Sequence, residues 1–194
     1  MTDRVEDSGG RGWNPWRVAG WSIPVLLLML PAVAMRFTSE VNWTFSDFVF
    51  AALLFGIVGL AFELIVRTSD SLAYRFGAGI AVLSAFLTIW INGAVGMIGS
   101  EDNPYNFLFL GVLLLALIGA IAARLEPAGM ARAMALAAIA QVAGGAFGLA
   151  VDPRGAVLSM GFGGLWLLSA ALFWNCCTWR VALARATRLA RACL

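Results

Sequence analysis

The chain has 194 residues, of which 61% are hydrophobic and only 12% are charged, and its formal net charge is +2. A soluble domain carries roughly 45–50% apolar and about 25% charged residues, so this composition excludes an ordinary water-soluble globule and favours a membrane protein. Every basic residue is an arginine, since neither lysine nor histidine occurs, and this excludes imidazole metal sites, histidine acid–base catalysis and lysine Schiff bases.

The apolar segments have the length of membrane-spanning helices. About 20 apolar residues are needed to cross a hydrocarbon core of about 30 Å. The sequence therefore predicts an all-α integral membrane protein, a bundle of six transmembrane helices at about residues 17–37, 47–66, 73–99, 104–124, 128–150 and 154–177. Several predicted starts carry a capping side chain followed by proline, namely Asn14-Pro15, Asn103-Pro104 and Asp152-Pro153.

Two polar tails flank this transmembrane domain of residues 15–179. Residues 1–14 form a polar, glycine-containing segment that is expected to be disordered. Residues 180–194 form a basic cytoplasmic tail, in which the arginines fall on one side of a helical projection and leucine and alanine on the other. An amphipathic helix on an anionic membrane surface and a plain solvated tail both remain open for this segment.

The arginines predict the orientation. If the N-terminus lies in the cytoplasm, eleven arginines fall in inside segments, and only Arg36 and Arg154 fall outside. This bias predicts that both termini are cytoplasmic, and it suits a bacterial cytoplasmic membrane. An alternative stays open, because the segment Ala32-Val33-Ala34 resembles a signal-peptidase site and residues 1–34 would then be removed.

The second helix carries charged residues at both ends. Thr44 to Asp47 is predicted to form a capping box, which puts Asp47 at an outer rim together with Glu101 and Asp102. Glu63 precedes Arg67 by four residues, so the two side chains are expected to form an ion pair near the inner end. A proton or cation site at Glu63 is the alternative.

The stretch "WINGAVGMIGSEDNPYN", residues 90–106, concentrates polar side chains at the end of a long apolar run. Helix ends and a tight hairpin explain most of them, but Asn92 falls about two turns inside the third predicted helix. Gln141 falls near the centre of the fifth. Each amide is expected to hydrogen-bond between helices, or, together with Glu63, to line a polar path through the bundle.

Small residues recur at four-residue spacing in the last two helices. They predict close helix packing, because a missing or short side chain lets two backbones approach. The expected contact joins the fifth and sixth helices within one chain, with a homodimer seam as the alternative, and the residues concerned are Ala140, Gly144, Gly148, Ser159 and Gly163.

No phosphate loop, nucleophile elbow or metal-ligand cluster occurs, so an enzyme is the least expected class, and no metal or cofactor is predicted. Two functions remain open. One is a small transporter or channel subunit for a proton, ion or small solute, based on Glu63, Asn92 and Gln141. The other is a non-transporting accessory or assembly subunit. The expected partners are the lipid bilayer and a homo-oligomer or larger membrane complex, with no nucleic acid.

Overall fold

A computed structural model describes the backbone of residues 15–192 and the side chains of residues 21–178. Its secondary structure within these bounds is entirely helical: α1 (Pro15–Ala34), α2 (Phe45–Thr68), α3 (Leu72–Ala94), a 3-10 turn (Pro104–Asn106), α4 (Phe107–Ala122), α5 (Pro127–Gly148) and α6 (Pro153–Ala192). The chain divides into two compact units, one up to Leu60 and one from Ala61 onward. The predicted polar tail, residues 1–14, lies outside the described residues.

Five helical segments are long and apolar enough to cross a membrane, and they identify a multi-pass membrane protein. They are Phe45–Thr68, Leu72–Ala94, Pro104–Ala122, Pro127–Gly148 and Pro153–Thr178. The part of α1 whose side chains are described, Trp21–Ala34, is a shorter apolar helix. The first of the six predicted spans, at about residues 17–37, therefore stays a prediction. Large apolar side chains such as Leu53, Leu117 and Leu167 are more than half exposed, as expected where hydrocarbon is the solvent.

The first unit contains α1 and most of α2. Two prolines, Pro24 and Pro31, lie inside α1. At the start of α2, Asp47 Oδ2 accepts hydrogen bonds from the backbone N–H (2.7 Å) and from the hydroxyl (2.8 Å) of Thr44. Asp47 therefore supplies its half of the predicted capping box, whereas the Asp47 N–H donates to the Thr44 carbonyl (3.1 Å) rather than to the Thr44 hydroxyl.

The second unit is built around α5. Half of its span is buried, a larger share than for the other candidate spans, because α5 packs against both α4 and α6. Small and flexible side chains on α5 allow this close packing. The core around α5 includes Met130, Met134, Ala137, Trp166 and Phe173.

Hydrogen bonds identify the two ends of the second unit. At one end, called here the Tyr74 end, the Tyr74 hydroxyl donates to the Leu125 carbonyl (2.9 Å) and joins the start of α3 to the α4–α5 turn. At the other, called here the Asp152 end, Asp152 accepts from the Gly99 N–H (3.0 Å) and joins α6 to the loop after α3.

Helix α3 is shorter than predicted. It ends at Ala94 rather than at residue 99, and the chain then enters a loop of residues 95–103 in which Met97 and Ile98 are buried. Gly96 has a φ of +78°, and a Cβ there would lie 2.6 Å from the Ser100 carbonyl oxygen. The loop therefore turns back into the bundle, which a continuous helix could not do.

Ser71 is the N-cap of α3, and its hydroxyl accepts a hydrogen bond from the Tyr74 N–H (3.4 Å). The neighbouring Asp70 pairs with Arg75, and the hydroxyl of Ser69 accepts from the Ser71 N–H.

The last helix is longer than predicted. The backbone of α6 continues as one helix from Pro153 to Ala192. The segment after residue 179, for which an amphipathic helix and a plain solvated tail were both open, therefore continues the sixth helix up to Ala192. The predicted amphipathic pattern of residues 180–194 concerns side chains that lie outside the described ones.

Candidate functional site

A row of polar side chains follows one face of α3 toward the Asp152 end. Ser84 and Thr88 are fully buried and lie about two turns and one turn, respectively, before Asn92. Their hydroxyls donate to the carbonyls four residues earlier, Ser84 to Ile80 (2.7 Å) and Thr88 to Ser84 (2.8 Å). Asn92 continues the row and donates through Nδ2 to the Asn106 carbonyl (3.2 Å). The hydroxyls are thus satisfied within α3, whereas Asn92 reaches another segment.

Asn106 is the centre of the network that holds the 95–103 loop. Its Oδ1 accepts from the backbone N–H groups of Met97 (3.0 Å) and Ile98 (2.9 Å), and its Nδ2 donates to the Ser100 carbonyl (2.7 Å). These partners define which side-chain atom is the oxygen, because two N–H donors require an acceptor. One buried amide therefore satisfies two buried backbone N–H groups that apolar surroundings would otherwise leave unpaired. It also adds a second donor to the Ser100 carbonyl, which accepts from the Asn103 N–H as well (3.0 Å).

Helix α6 holds the same loop from the other side. The Ser159 hydroxyl donates to the Met97 carbonyl (2.9 Å), and the Ser159 carbonyl accepts from Gln141 Nε2 (3.1 Å). A continuous series of contacts therefore runs from Asn92 through Asn106, Met97 and Ser159 to Gln141. The two amides singled out in the sequence belong to one structure, and the loop between them is its centre.

Asp152 adds a charged contact at the outer edge of the network. Its Oδ2 accepts from the Gly99 N–H (3.0 Å), and its Oδ1 accepts from the N–H groups of Arg154 (3.2 Å) and Gly155 (3.1 Å). Asp152 thus caps α6 while it binds the loop. The N–H of Gly99, and after it that of Gly155, holds the pKa of Asp152 below its usual value of 3.8.

Three buried polar atoms have no hydrogen-bond partner among the described residues. They are Asn92 Oδ1, Gln141 Oε1 and Trp166 Nε1. Two of them are the second atoms of the amides in the network. The site therefore offers two neutral hydrogen-bond acceptors in apolar surroundings.

The other charged residues predicted from the sequence have other partners or are exposed. Glu63 Oε1 accepts from Arg67 (2.8 Å) and forms the i,i+4 ion pair, with Arg67 mostly exposed. Asp47 caps α2 in the first unit. Glu101 and Asp102 are exposed on the 95–103 loop.

The predicted packing residues divide between two contacts. Ser159 and Gly163 of α6 face α5, where a Cβ on Gly163 would lie 2.7 Å from Val142. On α5 the close approach to α6 occurs at Gly145, whose Cβ would lie 2.9 Å from the Ala156 carbonyl oxygen. Gly144 and Gly148 instead face Phe109 and Ile98, and Ala140 packs on the main core.

Asn106, whose side chain makes the most hydrogen bonds in this network, was not among the predicted site residues, and Asp152 was predicted as a helix cap. Asn106 lies two residues after Pro104 in a stretch already rich in turn-forming residues, so nothing in the local sequence distinguishes it from its neighbours. The four-residue spacing of Ser84, Thr88 and Asn92 is a signal that the sequence does contain.

Within the described residues, no three histidine, cysteine, aspartate or glutamate side chains gather as a metal site would require. Comparisons of the chain with protein-family models, with characterised proteins and with solved structures find no match. A function for this chain therefore has to be argued from its own residues.

Proposed function

We propose that the chain is a non-transporting accessory or assembly subunit of a membrane complex. It would span the membrane six times with both termini in the cytoplasm, in a bacterial cytoplasmic membrane. The orientation is supported by the arginines of the second unit, because Arg67, Arg75 and Arg124 lie toward the Tyr74 end and Arg154 toward the Asp152 end.

One observation carries the functional proposal. The six fully buried polar side chains of the described region are all uncharged, and each is hydrogen-bonded to the backbone: Ser84, Thr88, Asn106, Gln141, Ser159 and Ser169. Intramembrane ionisable groups are the usual mark of an ion or proton pathway. Neutral groups used for backbone hydrogen bonds favour a rigid scaffold instead.

Reconstitution tests this proposal. Purified protein in liposomes is expected to give no flux of protons, sodium, potassium or chloride above that of empty liposomes, measured with entrapped indicator dyes. Crosslinking in native membranes, followed by mass analysis, is expected to identify a complex that contains a second kind of chain. Flux above the control, with only this chain in the crosslinked products, would contradict the proposal.

A second candidate, a small transporter or channel subunit for a proton, ion or small solute, is favoured by the unpartnered acceptors of Asn92 and Gln141. Asn92→Leu separates the two functions. In a scaffold this variant stays folded and changes no flux, because there is none to lose. In a transporter it abolishes flux, and Asn92→Gln or Asn92→Ser restores it.

A further inference from the structure

An apolar cleft of about 330 Å³ lies in the second unit, between the last turns of α2 and helices α3 and α4. Leu64 and Leu117 line it and are 54% and 57% exposed, so its lining is continuous with the lipid-facing surface. Trp166 of α6 also lines it. The cleft is therefore accessible from hydrocarbon.

The polar groups of the lining favour an apolar occupant. The Thr68 hydroxyl donates to the Leu64 carbonyl (2.7 Å), and the Tyr74 hydroxyl donates to Leu125 (2.9 Å), so both are already used. Both lie at the Tyr74 end of the cleft. Trp166, another lining residue, has an Nε1–H without a hydrogen-bond partner among the described residues. A water molecule needs two to four polar partners to stay in such a site, so this single donor is not enough.

The length of the cleft fits one hydrocarbon chain. Its α3 lining extends from Tyr74 to Ile89, which is about 22 Å of helix at 1.5 Å per residue. One leaflet contributes about half of a hydrocarbon core about 30 Å thick. A lipid chain that enters at the Tyr74 end can therefore remain in the cleft along its length.

An arginine side chain without a partner lies at the Tyr74 end of the cleft. Arg124 is exposed and directly precedes Leu125, which lines the cleft, and its guanidinium has no ion pair or hydrogen bond within the described part of the chain. Arg67 is paired with Glu63, and Arg75 with Asp70. A guanidinium is well suited to bind a phosphate.

The α4–α5 turn holds Arg124 in this position. Arg124 and Leu125 have φ values of +49° and +60°, a left-handed conformation that is uncommon for residues other than glycine. The Leu125 N–H donates to the Ala120 carbonyl (3.3 Å), and the Leu125 carbonyl accepts from Tyr74. The cation is thus attached to the wall of the cleft.

We propose that this cleft binds one acyl chain of an anionic phospholipid, with the headgroup phosphate on Arg124. The proposal does not depend on the function proposed above, because a scaffold and a transporter could each hold such a lipid.

Titration of purified protein in detergent with phosphatidylglycerol or phosphatidylcholine, followed by native mass spectrometry, tests the proposal. Arg124→Gln is expected to weaken phosphatidylglycerol binding about tenfold, since a charge-assisted hydrogen bond is lost. Arg132→Gln is the matched control, because Arg132 is exposed on α5 and lies 200° around the helix from Met130 and Met134, which line the cleft.

Ala120→Leu fills the cleft and is expected to weaken binding of both lipids. Ala122→Leu, at an exposed position of α4 outside the lining, should leave binding unchanged. Equal losses of phosphatidylglycerol binding in Arg124→Gln and Arg132→Gln would contradict the binding of the headgroup phosphate to Arg124. Normal lipid binding to a folded Ala120→Leu protein would contradict the binding of the acyl chain in the cleft.

A second measurement applies even if the cleft variants do not fold. Phosphatidylglycerol with brominated acyl chains is expected to quench the fluorescence of Trp166, obtained as the difference between the unsubstituted protein and Trp166→Phe. A lack of quenching in that difference at saturating lipid would show that the acyl chain lies elsewhere.

Discussion

Asp152 accepts a 3.0 Å hydrogen bond from the backbone N–H of Gly99, a residue 53 positions earlier in the chain. Asp152, the residue directly before α6, therefore holds the loop that follows α3. Because the hydrogen bonds favour the carboxylate form, this contact makes the anchoring of the loop dependent on pH.

The pKa of Asp152 is lower in the folded protein than its usual value of 3.8. Its stabilising effect is therefore complete above about pH 4 and is lost as the pH falls through the lower, folded-state pKa. Asp152→Asn is expected to lower the melting temperature in detergent at neutral pH, and this difference from the unsubstituted protein should shrink at acidic pH. Asp102→Asn, an exposed carboxylate of the same loop, is the control. The same pH-dependent difference in both variants would contradict the role of Asp152.

Asn106→Ala is expected to destabilise the protein by about 3 kcal/mol, because it leaves two buried backbone N–H groups without partners and removes one of the two donors to the Ser100 carbonyl. Asn103→Ala is the matched control, since Asn103 only caps the 3-10 turn through the Tyr105 N–H and should cost about 1 kcal/mol. Reversible unfolding in mixed micelles measures both losses. Equal losses would mean that Asn106 acts only as a local turn residue.

Gly148→Ala is expected to destabilise the protein by about 1–3 kcal/mol, because the new methyl group would overlap the side chain of Ile98. Gly144→Ala, one turn earlier on α5, has 3.5 Å to its nearest neighbour, Phe109, and should be neutral or stabilising by up to about 1 kcal/mol. Thermal unfolding compares the two variants. In an Ile98→Ala background, which carries its own cavity cost, the loss caused by Gly148→Ala is expected to be smaller, because the overlapping side chain has been removed.

Single cysteines in a protein whose native cysteines (Cys176, Cys177 and Cys193) are replaced by alanine test the proposed topology. Asp102→Cys and Glu126→Cys lie on loops at opposite ends of the second unit, and both positions are exposed. In intact cells, a membrane-impermeant maleimide is expected to label the first and not the second. Labelling of both, or of the second alone, would contradict the proposed orientation.

Some features of this protein are determined locally, and the sequence predicted these correctly. Composition and the lengths of the apolar runs indicate membrane helices, because hydrocarbon requires about 20 apolar residues per span. Asp152 and Asn103 each accept from a backbone N–H two or three residues later, so a cap can be identified from a few neighbouring letters. The Glu63–Arg67 pair depends only on helical spacing.

The end of α3 shows where this local information stops. Val95, Met97 and Ile98 are apolar, so hydropathy alone extends the span to residue 99, although Gly93 and Gly96 also permit an earlier end. The chain leaves the helix at Ala94 because Asn106 and Ser159 supply hydrogen bonds to the backbone of Met97 and Ile98. Ser159 lies 62 residues from Met97, so only the packing of α6 beside the loop provides its partner.

Tertiary packing also decides which neighbours the glycines of α5 contact and how the two amides are connected. Gly144, Gly145 and Gly148 are equivalent in sequence, and tertiary packing alone decides that Gly145 contacts α6 while Gly148 contacts Ile98. Polarity marked Asn92 and Gln141 as unusual, but their shared network exists only because the folded loop lies between them. Helix formation and capping depend on residues within about one turn, whereas the site depends on backbone groups that the fold brings together from distant segments.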